Sequence, residues 1–384
     1  MAMPYSFSTR AVHAGREDLN DMGVHVPPID LSTTYPARDS RTEAERIEQF
    51  ASGEQPHGSP IYSRLHQPTV ARFETALADL EAAESGVAFA SGMAALSACI
   101  LAVSATGKSH IVAVRPLYGG SDHLLGAGLL NTEVTYCRPD AVADAVRSDT
   151  GLVVVETPAN PTLAEVDLAD LARQCGSVPM LVDNTVATPV LQQPLLHGAS
   201  MVLHSATKYL GGHGDVLGGA VCCDEDFARR LRQIRVVTGG VLHPMAGYLL
   251  HRGLATLPVR VRTQATTAAE LAVRLSQHPQ VAHVAYPGLT PDRPKQMDTG
   301  GALLSLRTRN DATKVISGVK LMTPAVSLGS IDTLIQHPAS LTHRVVQSSD
   351  RDDCGIDDKL IRVSVGLEDV EDLWEDLDQA LSHA

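Results

Sequence analysis

The chain has 384 residues, 44% of them hydrophobic and 20% charged, which suits a globular protein with more than one core and not a disordered or fibrous one. Its 31 lysines and arginines stand against 44 aspartates and glutamates, a formal charge of −13 with no basic block to offset it. Nucleic acid, whose phosphates demand clustered cations, is therefore a poor partner. The longest apolar stretch, residues 94–103, is broken by Ser97 and too short for a bilayer, and the first residues lack an apolar secretory core; a cytoplasmic protein without a membrane partner is expected.

Residues 1–58 carry scattered proline, glycine and charge with one short helix at 42–50, and read as an N-terminal arm that lies on a neighbour. A larger α/β domain is expected over 59–240 and a smaller α+β domain over 241–384. Tyr62 and Arg64 lie in a loop before a helix at 69–84, where Val70, Phe73, Leu77 and Leu80 recur at helical spacing. A strand at 87–90 runs through Ser91-Gly92-Met93 into a helix at 94–103, and such a turn presents free N–H groups to an anion. Strands follow at 110–114, ending near Tyr118-Gly119-Gly120, at 134–137, and at 152–156, which leads into Asn160. Further strands at 180–183, 201–203 and 220–223 alternate with helices at 141–146 and 167–174. Strands apolar on both faces imply a mainly parallel sheet under helices, with ligand groups at strand ends. Beyond 226 the pattern turns helical, at 227–236, 244–253 and 257–278. Strands at 302–307, 325–328 and 360–365, with helices at 312–319 and 370–382, complete the chain. The six cysteines form no CxxC and read as reduced buried thiols, Cys222 and Cys223 facing opposite sides of one strand. The sixteen histidines make neither HExxH nor a tight cluster, so no metal is expected.

One lysine stands apart. Lys208 follows Ser205 and Thr207 and precedes two glycines, directly after the apolar run Met201-Val202-Leu203. A lysine in a pocket at a strand end can lose its proton and attack a carbonyl. Asp183 closes another apolar strand, 25 residues upstream. A carboxylate there keeps a pyridine nitrogen protonated, as pyridoxal phosphate (PLP) needs if its ring is to accept electrons, and Ser205 and Thr207 could bond its phosphate.

The run from Ser205 to His213, with Asp183-Asn184-Thr185 before it, resembles the Cys/Met-metabolism family of PLP enzymes: cystathionine γ-synthase, cystathionine lyases, homoserine sulfhydrylases and methionine γ-lyase. The resemblance extends from about Thr9 to the last helix and implies an aspartate-aminotransferase-like (fold type I) α/β architecture. It also implies that Gly92 and Met93 amides, Ser205 and Thr207 hold the phosphate, joined by Tyr62 and Arg64 of an adjacent subunit in a homotetramer built from dimers sharing active sites. Tyr118 stacks on the ring and moves protons, and Asn160 lies near the phenolic oxygen. Arg362, which on its alternating strand would ordinarily face solvent, takes the α-carboxylate of an amino-acid substrate, with Ser327 beside it. The run Gln336 to His343 is a further family fingerprint, with a structural role. The implied reaction is γ-elimination at a sulfur amino acid. Val326 stands where cystathionine enzymes typically carry Glu, as in methionine γ-lyase; Gly120, where methionine γ-lyases usually carry Cys, departs from that pattern. A cystathionine γ-lyase, a γ-replacement transferase and a non-catalytic PLP-binding protein are the alternatives.

Overall fold

The computed structural model describes residues 5–37, 39–55, 58–289, 291 and 293–384. Seven strands form the larger sheet: β1 (Ser85–Phe89), β2 (His110–Val114), β3 (Glu133–Cys137), β4 (Thr150–Glu156), β5 (Met180–Asp183), β6 (Met201–His204) and β7 (Gly219–Cys223). Their order is β1-β7-β6-β5-β4-β2-β3, and every pairing is parallel except those of β7 with β1 and β6. All residues of β2, β4 and β7 are buried, because helices cover both faces. Cys222 and Cys223 accordingly enter different cores, one on each face, and all six cysteines are free thiols.

The helix Gly92–Ser104 is apolar nearly all round, as it must be between the sheet and the helix Glu225–Thr238. Ser91 caps its start, its Oγ accepting from the Ala94 N–H at 3.1 Å. The helix Pro68–Leu80 ends four residues before the expected 84, where Ala82 takes a left-handed φ of 56°. Before it, Ser40–Ala51 matches the one helix expected in the arm, and Phe7–His13 adds another. Ala11 and Ala14 of that region join the core of the larger domain.

The helix Leu257–Ser276 leads to the smaller sheet: β8 (Val281–Ala285), β9 (Leu303–Thr308), β10 (Thr323–Pro324), β11 (Leu334–Gln336) and β12 (Leu360–Ser364). Its order is β10-β11-β12-β9-β8. One expected strand does not form. Residues 325–328 are irregular, and Ser327 adopts a φ of 89°, which no strand accommodates. The strands β8, β10 and β11 were not expected; β10 and β11 are only two and three residues long, and only β8's Val281 and Val284 are buried, so none has a clear alternation.

Candidate active site

The carboxyl ends of β4, β5 and β6 carry Glu156, Asp183 and the turn through Ser205 to Lys208, and all of them line one cavity of about 270 Å³. The smaller domain closes it with Val326, Ser327 and Arg362, so the cavity lies between the two sheets. Of the residues singled out from sequence, Gly92, Met93, Tyr118, Asn160, Asp183, Ser205, Thr207, Lys208, Ser327 and Arg362 all reach it. Tyr62 and Arg64 do not. Tyr62 is 42% exposed, and Arg64 stacks its guanidinium 5.4 Å from the Tyr62 ring while donating to the Val236 carbonyl at 2.6 Å.

Lys208 Nζ donates to Ser327 Oγ at 2.7 Å. Burial, and then the positive charge of Arg362, pulls its pKa down to about 8, so a sizeable neutral fraction exists near physiological pH. The left-handed turn at Ser327 serves both contacts, aiming the hydroxyl at Lys208 and the carbonyl at Arg362, whose Nη2 donates to it.

Arg362 is not on a solvent face. Its strand is interior to the smaller sheet, paired with β11 and β9, and the face it occupies is pressed against the larger domain. It is 1% exposed, its Nη1 donates to Asn160 Oδ1 at 2.9 Å, and in the amide orientation that satisfies its neighbours Gln336 also accepts from it. Burial lowers its pKa to about 10, still cationic at neutrality, so it is a built receptor for a carboxylate. Asn160 thus supports Arg362 directly.

Asp183 Oδ1 accepts from the Thr185 N–H at 3.0 Å and the Thr185 hydroxyl at 2.5 Å; its other oxygen has no partner among the described residues. Burial pushes its pKa upward, an imbalance that a cationic ring N–H would cancel. The N–H groups of Gly92 and Met93 open a helix and find no acceptor among the described residues, and Ser205 Oγ is likewise without a partner beside them. A side chain at 92 would meet Ser205 Cβ at 3.0 Å, so glycine keeps this cradle open. Thr207 Oγ1 is held by the main chain of Gly218, bonding its carbonyl at 3.2 Å and its N–H at 3.1 Å. An attacking amine, an acid for a ring nitrogen and a row of donors for a phosphate are what PLP requires, and these residues fit it.

The sequence reading passed over Glu156. It closes the apolar run Leu152-Val153-Val154-Val155, the same signal that marks Asp183, and it is 5% exposed in the cavity wall. Burial and then the Asp183 carboxylate raise its pKa well above the usual range, opposed by the Asn160 and Tyr118 N–H groups and the Arg362 charge, which favour the carboxylate form.

Comparison with known proteins agrees with the geometry. The chain is 64% identical to an L-methionine gamma-lyase of Streptomyces avermitilis, over 98% of this chain and 89% of that one. It is 55% identical to an L-methionine gamma-lyase of Brevibacterium sandarakinum, over 97% and 96%. The crystal structure of cystathionine gamma-lyase from Lactobacillus plantarum superimposes with a TM-score of 0.89 at 32% identity, over 98% of this chain and 99% of that one. The family model for Cys/Met metabolism PLP-dependent enzymes matches residues 8–382, and the chain, an α/β protein with Lys208, Asp183 and Ser205 gathered at one set of strand ends, belongs to that family.

Proposed function

We propose that this protein is a carbon–sulfur lyase that splits L-methionine, with uptake of one water, into methanethiol, 2-oxobutyrate and ammonia. The observation that carries this reading is the pairing, in the lining of one small cavity, of a carboxylate receptor with uncharged apolar side chains. Arg362 lies fully buried at one side, while Leu217 and Val326, 68% and 53% exposed, line the cavity with no charge on their side chains. A short uncharged thioether matches that lining. The two relatives above carry the same activity in their names.

Bound PLP supplies an electron sink for the carbanion at Cα. The protein's own residues do the rest. Arg362 takes the α-carboxylate as a bidentate fork, with Asn160 fixing its plane. Lys208, neutral in a useful fraction, accepts the Cα proton, passes it on and then takes a proton from Cβ, whose loss lets the γ-sulfur depart, and Ser327 Oγ at 2.7 Å steadies the amine between those tasks. Tyr118, at the start of the helix Gly119–Gly126, supplies a proton to the departing sulfur. Asp183 and Thr185 hold the ring nitrogen's proton, and Gly92, Met93, Ser205 and Thr207 hold the phosphate.

A second reading has one observation behind it. Across Leu217, Val326 and Ser327 lies another hollow, of about 620 Å³, whose wall includes Asp215 and Asp332. A longer thioether with a distal ammonium, as in cystathionine, would find carboxylates there. Incubation with methionine alone separates the readings: methanethiol and 2-oxobutyrate are expected. Product only from cystathionine, or only when a second nucleophile accompanies an activated homoserine, would overturn the primary assignment.

The same reading puts Tyr62 and Arg64 on the phosphate of an adjacent subunit, in a homotetramer built from two dimers that share active sites. Their position away from this chain's own cavity supports it, as do the exposed apolar residues Val26 and Leu31 in the segment before them. It takes residues 1–58 as the arm, 59–240 as the PLP-binding domain and 241–384 as the C-terminal domain. A reducing cytoplasm suits six free cysteines, and among the described residues no helix is long and apolar enough to cross a membrane.

A further inference from the structure

The strand β4 lies between β5 and β2, so Glu156, its last residue, occupies the middle of three adjacent strand ends. On one side its register partner is Asp183. On the other, the chain leaving β2 brings Tyr118. Both Glu156 oxygens are spent on main-chain donors: Oε2 accepts from the Tyr118 N–H at 2.5 Å and Oε1 from the Asn160 N–H at 2.8 Å. Asn160 then passes the constraint on, its Oδ1 accepting from Arg362 Nη1 at 2.9 Å. A buried acid beside a second buried acid is an expensive way to satisfy two amides. Its chemical distinction is symmetry. A carboxylate offers two equivalent acceptors, whereas a glutamine amide offers one acceptor and one donor.

We propose that Glu156 is a positioning residue for the reaction, a single carboxylate that sets the Tyr118 loop and, through Asn160, the Arg362 guanidinium at a fixed spacing on either side of it. This rests on the lyase reading above. Glu156 touches neither substrate nor cofactor in this role; it decides where the proton donor and the carboxylate receptor stand relative to Asp183. The Tyr118 loop has a further anchor in Gly119, where an added Cβ would meet the Thr342 carbonyl at 2.3 Å, so the loop tolerates little displacement without losing its packing.

The test is Glu156→Gln in the holoenzyme. The near-isosteric amide keeps one main-chain partner and sets its NH2 against the other N–H. The expected result is a fall of about tenfold or more in kcat/KM for methionine, the scale of one buried hydrogen bond lost. Inhibition by L-norleucine, which has the carboxylate and an apolar side chain but no thioether, should weaken in parallel. Because Asn160→Ala cuts the same relay one step later, the double variant should raise the L-norleucine Ki no more than the worse single variant does. Fully additive effects on that Ki, or an unchanged kcat/KM in Glu156→Gln, would overturn the proposal. Wild-type amide hydrogen exchange gives an arm that survives a variant that does not fold. The Tyr118 and Asn160 amides should be the slowest in their loops, and rapid exchange at either would also overturn it. If the wild-type protein released no methanethiol from methionine, the lyase reading would fall while the exchange arm still decided Glu156.

Discussion

A lysine amine keeps its proton at neutral pH unless the surroundings make the charge costly, and at Lys208 burial and Arg362 together do so. The consequence for stability has a definite sign. The unfolded chain holds this proton up to about 10.5, while the folded chain gives it up near 8. Between those values the unfolded state binds more protons, so stability rises with pH; below 8 the folded site carries the charge and that contribution is absent. Urea denaturation of the cofactor-free protein should therefore show a gain between pH 8 and 10 that Lys208→Met lacks, and the variant should be the more stable of the two at pH 7. Parallel pH profiles would mean the amine is not depressed. Lys208 and Asp183 were legible because their signal is local, a charged residue at the end of an apolar strand or in the turn just after it. Glu156 bore the same signal and went unused, and Arg362 was legible only through family resemblance, since its burial depends on a domain remote in sequence.

At the scale of elements, the helix Val370–His383 is fastened to the chain before β10 by Asp376, with Gln379 Nε2 adding a bond to the Gly318 carbonyl at 2.7 Å. Asp376 is 7% exposed and accepts from the N–H groups of Lys320, Leu321 and Met322 at 2.7, 2.9 and 2.9 Å. Asp376→Ala strands these donors and should cost about 3 kcal/mol in chemical denaturation, against about 1 kcal/mol for removing the Asp369 cap of the same helix. Equal losses would show that the loop finds water instead. The longer helices were readable from their apolar periodicity and the strands of the larger sheet from their short apolar runs, whereas short helices such as Gly119–Gly126 were not expected. The segment 325–328 misled because Ala-Val-Ser-Leu has strand composition. Its conformation is decided instead by the two contacts Ser327 makes, to Lys208 and to Arg362.

For the whole molecule, one chain brings Lys208, Asp183 and Arg362 into a single cavity, while Tyr62 and Arg64 stand apart. If a neighbour supplies them, two inactive variants should rescue each other. Arg64→Ala and Lys208→Ala, each expected to lose more than about 100-fold in kcat, should regain on co-refolding roughly the fraction of sites that draws one intact residue from each parent. No recovery, with mixed oligomers demonstrated by mass spectrometry, would remove the shared-site reading.

By itself, the sequence determined the alternation of strand and helix, the strand ends as the place for chemistry, and the lysine and aspartate that mark a PLP enzyme, because each is encoded within a few consecutive residues. Only the tertiary structure decided that Arg362 is buried, that Ser327 turns left-handed to meet Lys208, and that Glu156 joins two loops. The first two depend on a second sheet docking over the first, which brings together groups separated by 119 and 202 positions, and the third on β2 and β4 lying side by side, 38 positions apart. No local pattern carries information about such an encounter, because burial and charge at each of them are set by atoms far away along the chain.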